Sequence, residues 1–96
     1  MGTPGTLSSR AASAAKDLKR CPLAIRQKLF VWVASVESIG LEQVRRQPGW
    51  HDEPLKGQRR GQRSIRLNRQ WRAIYVLLLD GSIEFCEVRE VTAHDY

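Results

Sequence analysis

Between Lys56 and Arg72 the chain carries seven cations, Lys56, Arg59, Arg60, Arg63, Arg66, Arg69 and Arg72, and no acid. Six of the seven are arginines, whose planar fork of donors fits phosphate oxygens better than an ammonium does. Gly57 and Gly61 flank the first two arginines, so this loop is free to move and its backbone can approach a phosphate closely. Such a segment suits the binding of a polyanion. Where a cation reaches a reacting phosphorus, it also stabilises the charge that develops there. The plain alternative is a solvated basic face, its arginine stems lying over Trp71 or Tyr75.

Two other clusters contain proton carriers: His51-Asp52-Glu53, just ahead of the basic segment, and His94-Asp95-Tyr96, the last three residues. Histidine exchanges protons near neutral pH, and tyrosine does so when cations depress its pKa. In an extended strand end, residues 94 and 96 share one face and Asp95 takes the other. The competing reading is a polar loop and a frayed terminus. No histidine pair or aspartate pair has ligand spacing, so neither a metal nor a cofactor is expected. Gly-x-Ser-x-Gly, P-loop and dinucleotide-binding patterns are absent, as are a helix-turn-helix and a zinc finger.

The totals agree with a polyanion partner. Ninety-six residues make one domain, 1–96, with 42% hydrophobic residues to form a modest core. Sixteen Lys+Arg against ten Asp+Glu give a net charge of +6, and twelve of the sixteen are arginine. A surplus of that size on a small domain points to nucleic acid before an acidic protein or membrane surface. Cys21 and Cys86 make no disulfide framework, so no disulfide partner and a reducing cytoplasm are expected. No stretch has the length of a membrane span or the layout of a signal peptide, so no membrane partner is expected.

The elements that must position these groups can be read from periodicity. Residues 1–7 are a loose segment or a weak edge strand. Ser8 or Ser9 caps a helix to about Arg20, and Pro22 stops it. A second helix spans about Leu23–Ile39, with Ile25, Leu29, Trp32, Val33, Val36 and Ile39 on one stripe. Gly40 ends it in the left-handed C′ position, and Leu41–Gln47 adds a short turn of helix. The period then changes to two. Arg63–Asn68 alternates, Ile65 and Leu67 inward, with Ser64, Arg66 and Asn68 outward. Trp71–Leu79 is a central strand, Asp80-Gly81 a turn, and Ile83–Val91 a third strand that slips between Cys86 and Val88. If Asn68–Gln70 is a three-residue loop, Arg66 and Arg72 face each other across the pair, an arrangement that destabilises unless an anion lies between them. The architecture is α+β: an N-terminal helical hairpin packed on a small antiparallel sheet.

Four blocks in order resemble the RelE/HigB branch of the RelE/ParE toxins, the toxin halves of bacterial type II toxin–antitoxin systems. They are Pro48-Gly49-Trp50-His51-Asp52-Glu53-Pro54-Leu55-Lys56-Gly57, Gly61-Gln62-Arg63-Ser64-Ile65-Arg66-Leu67, Trp71-Arg72-Ala73-Ile74-Tyr75, and Glu90-Val91-Thr92-Ala93-His94-Asp95-Tyr96. The resemblance covers about residues 16–96 and is closest after residue 48. It implies the RelE/ParE-like fold, with a first strand ahead of the hairpin, although Thr3–Ser8 lacks that strand's apolar alternation. It also implies a metal-independent endoribonuclease, an mRNA interferase that cuts mRNA on the ribosome and is silenced by a cognate antitoxin. Matched onto this chain, the catalytic groups are Lys56, Arg72 and His94 with Tyr96. Arg63 and Arg66 match basic positions of the second block, and Arg59, Arg60 and Arg69 complete the RNA-binding set. Which of His94 and Tyr96 moves the proton stays open. Two other readings stay open as well: a ParE-like gyrase-inhibiting toxin, and a non-catalytic RNA-binding module.

Overall fold

The computed structural model describes residues 16–91. The expected cap at Ser8 or Ser9, the segment 1–7, and His94 and Tyr96 lie outside the described residues. Residues 16–20 are helical. Asp17 ties this segment to the sheet by accepting a 3.0 Å hydrogen bond from the Val88 backbone N–H. Pro22, which lacks an N–H, separates it from helix α1, Leu23–Ile39.

The apolar stripe of α1 buries Ile25, Leu29 and Trp32 and half-buries Val33 and Val36. Ile39, expected on that stripe, is half exposed. Towards the end of α1 an open groove of about 330 Å³ lies between the helix and the start of the last strand among the described residues. Gly40 has the positive φ expected of a helix stop, but φ 88° and ψ 152° are extended and not left-handed helical. Only glycine occupies that region readily. The chain leaves α1 sharply there and enters α2, Leu41–Arg45, and then a 3₁₀ turn, Pro48–Trp50.

Four antiparallel strands follow in the order β1-β2-β3-β4: Glu53–Pro54, Gln62–Arg66, Trp71–Leu77 and Ile83–Glu90. Periodicity misses β1, because two residues show no alternation. The central position of β3 is as expected, but the strand stops at Leu77 and Leu79 is fully exposed. The β2–β3 turn is built by Asn68, whose side-chain oxygen accepts hydrogen bonds from the Gln70 and Trp71 N–H groups. The expected slip in the last strand is a bulge at Cys86: Tyr75 faces Phe85, while Ile74 faces Glu87.

One face of the sheet carries the core. Trp32, 1% exposed, packs against Tyr75 at 5.0 Å and Phe85 at 5.6 Å between ring centroids. Ile65, Leu67, Ala73 and Val88 surround them, with Val44 and Trp50 closing the layer. Among the described residues no helix is long and apolar enough to cross a membrane.

Candidate functional site

Strand pairing distributes the arginines between the two faces of the sheet, since residues paired across strands share a face. Arg66 faces Arg72, as the turn length predicts, and Arg72 in turn faces Arg89 on β4. Three arginines therefore form one rung on the face away from Trp32. Facing Cβ atoms lie about 5 Å apart in such a pair, which brings three guanidinium groups within reach of one bound anion. Among the described residues neither Arg66 nor Arg72 has a carboxylate or hydrogen-bond partner.

The next rung on this face is Glu53, Ser64, Ile74 and Glu87. Ser64 was expected to point to solvent, and Ile74 lies on the same outer face. Both are buried because the loop after β1 folds over them. A cleft of about 150 Å³ results, lined by Leu55, Arg59, Ser64, Arg72, Ile74, Arg89 and Val91. Leu55, Ile74 and Val91 supply apolar surface, and three arginines supply charge. This combination suits a phosphate attached to a flat or sugar-like body.

The loop is tethered, where composition suggested free movement. Gly57 and Gly61 have φ of 67° and 96°, and a 3₁₀ turn at Gly57–Arg59 lies between Lys56 and Arg60. Arg59 crosses to Glu87 with an ion pair of 2.7 Å. Arg59 therefore reaches the cleft but already has a partner. Lys56, Arg60 and Arg69 are exposed, Lys56 and Arg60 on the loop and Arg69 at the β2–β3 turn.

Arg63 lies elsewhere. It pairs with Tyr75 on the core side of the sheet. Its Nε donates to Asp52 at 2.5 Å and its Nη2 donates to the Asp52 carbonyl at 3.4 Å. The Tyr75 hydroxyl donates to the other Asp52 oxygen at 2.5 Å. Burial opposes the charge on Arg63, but the bond to Asp52 outweighs it and holds the guanidinium above its ordinary pKa. Burial, reinforced by the Asp52 bond, pushes the Tyr75 phenol well above its usual value. Both groups stay protonated at neutral pH and donate to one carboxylate. The expected stacking of arginine stems over Tyr75 does not occur for Arg66 or Arg72, because Tyr75 faces the other way.

Sequence reasoning missed Arg89 and Glu87 on the open face and named Glu53 only within the His51-Asp52-Glu53 cluster. Arg89 is far from the basic run and stands between acids, so its signal is visible only through pairing. Glu53 is exposed and faces Ser64 on the cleft side, which makes it the carboxylate available there beside the paired Glu87.

The fold has known counterparts. It is similar to the crystal structure of YafQ from E. coli strain BL21(DE3), with a TM-score of 0.61 and 23% identity, covering 81% of this chain and 84% of that one. A YoeB/ParE toxin from Agrobacterium tumefaciens matches with a TM-score of 0.60 and 22% identity, over 83% of this chain and 92% of that one. The toxin–antitoxin complex RelBE2 from Mycobacterium tuberculosis matches with a TM-score of 0.50 and 21% identity, over 82% and 89%. No family model and no curated protein sequence matches the chain. The α+β fold implied by the sequence resemblance is the fold found.

Proposed function

We propose that this chain is the toxin of a type II toxin–antitoxin pair and an endoribonuclease that cleaves mRNA on the ribosome. The observation that carries the reading is the Arg66–Arg72–Arg89 rung beside a small cleft, on a fold shared with toxins. The facing pair Arg66 and Arg72 is unfavourable in the free protein and becomes favourable around a phosphate.

In this reading the ribose 2′-OH attacks the adjacent phosphorus and the 5′-oxygen leaves. Arg72, with Arg66 and Arg89, stabilises the additional negative charge of the transition state. Lys56, at the head of the loop, adds a cation or carries a proton. His94 or Tyr96 is the acid or the base. Glu53 offers a second proton acceptor on the same face. Attack by the 2′-OH leaves DNA uncut. The partner is an antitoxin whose acidic segment covers the arginine face or displaces the C-terminal residues, as would suit a relative of the complex from M. tuberculosis.

The test is expression in bacteria, wild type against Arg72→Ala, with mRNA 5′ ends mapped. Wild type is expected to halt translation and leave new 5′ ends, and Arg72→Ala to lower cleavage by about 10²–10³-fold. Unaltered cleavage by Arg72→Ala removes the catalytic role of the rung. A DNA-damage response with intact mRNA favours the gyrase-inhibiting reading, and salt-dependent binding without scission favours an RNA-binding module.

A further inference from the structure

Strand β1 is two residues long and both are exposed, so burial of an apolar face cannot set its register. A slip of one residue would turn Glu53 to the core side of the sheet. It would also shift Leu55 in the cleft and Lys56 beside it. Something else must hold this segment in place, and the residue before it is suited to do so. The Asp52 side chain has no exposed surface. Its two oxygens are taken by Arg63 on β2 and Tyr75 on β3, and its carbonyl by Arg63 again. One residue is thus tied to two neighbouring strands by three hydrogen bonds. An enclosed carboxylate of this kind gains little stability over apolar packing, but it is selective about position, since any shift would leave a charge buried and unpaired. Immediately after β1 the ladder continues with Leu55 N–H donating to Gln62 O at 2.9 Å.

We propose that Asp52 is a positioning residue: held by Arg63 and Tyr75, it locks the register of β1, thereby presents Glu53 and Leu55 to the arginine face, and fixes where the loop begins at Lys56. Its effect on RNA cleavage rests on the function proposed above, whereas the register lock does not.

Two measurements separate these levels. The first is amide hydrogen exchange in Asp52→Ala. Leu55 N–H is expected to lose about tenfold or more of its protection, with the amides of Ala73 and Val88 within about threefold of wild type. Unchanged protection at Leu55 overturns the lock, whether or not the protein cleaves RNA. If Asp52→Ala does not fold, Asp52→Asn/Arg63→Gln removes both charges and is read at the same amides.

The second measurement is cleavage of mRNA by purified protein on ribosomes, with affinity read separately from a labelled single-stranded RNA oligomer. Asp52→Ala is expected to cut about 10–100-fold more slowly, because a misplacement of about 1 Å suffices for such a loss. Its affinity for the oligomer stays within about threefold, since the rung itself is intact. In a Glu53→Gln/Lys56→Ala background, Asp52→Ala should add little, since it acts through that segment. A full additional loss in that background shows another route and overturns the positioning role. Wild-type protein that cuts no RNA overturns the proposed function and leaves the exchange result to decide the lock.

Discussion

Arg66, Arg72 and Arg89 come from three strands, and they differ in how much of their role could be read in advance. Arg66 and Arg72 were legible as a facing pair, because alternation in β2 and a three-residue turn determine who faces whom. Arg89 was not, since its place depends on pairing between distant segments and on a bulge. The opposite error concerned Arg63, which sits in the same basic run but is drawn to the core side by Asp52. Composition cannot separate an arginine committed to a buried carboxylate from one waiting for a phosphate. Two predictions belong to single residues. Arg89→Gln should slow cleavage about as much as Arg66→Gln, by about 10²-fold, in the assay used for Arg72. Removing Arg66 or Arg72 should lower the slope of log affinity against log salt by about 0.7 for single-stranded RNA, as titrations at several salt concentrations would show. Arg63→Gln should instead lower the melting temperature and leave that slope nearly unchanged, because its charge is already matched.

At the scale of elements, the long helix and the strand order were visible because periods of 3.6 and 2 repeat over enough residues. β1 was not, because a strand of two residues is defined by its neighbour. Gly40 shows how far local rules reach: a stop with positive φ is correct, and the particular ψ is set by where α2 must go. No atom lies within 4 Å of a Cβ built at Gly40, so Gly40→Ala tests backbone conformation alone. It should cost about 1–3 kcal/mol in urea unfolding. Trp32→Ala removes the ring that joins α1 to Tyr75 and Phe85 and should cost about 3–5 kcal/mol by the same method. Tyr75 gives the sheet a pH dependence of known sign. Its phenol holds its proton more tightly folded than unfolded, so its contribution is complete below the unfolded value of about 10 and fades as pH rises beyond it. Urea unfolding between neutral pH and pH 11 should show this loss of stability, and Tyr75→Phe should reduce it.

For the molecule as a whole, the net charge of +6 is shared between the helices and the sheet. One side of the sheet is spent on the core and the other gathers cations around a small cleft, so affinity for polyanions and the fold's own stability are coupled. Anions that bind the rung bind only the folded chain and should raise the melting temperature according to their concentration. A scan with inorganic sulfate should show a rise that Arg72→Ala diminishes. The sequence shows a surplus of cations. It could not announce the face, because a face is a property of pairings among residues far apart in the chain.

The bulge at Cys86 has a consequence for how such a chain can change. Phe85 and Val88 both meet the core although an odd number of steps separates them, and Arg89 meets the solvent side because of that extra step. The strand therefore has a parity, much as a message has a reading frame. Loss of Cys86 would remove the bulge and leave three regular steps between Phe85 and Arg89, which keeps the arginine on the open face. Substitution or loss at Cys86 therefore keeps the same residues inside, whereas loss of one residue from a regular stretch of the strand rewrites them and would need a second change beside it to restore the frame.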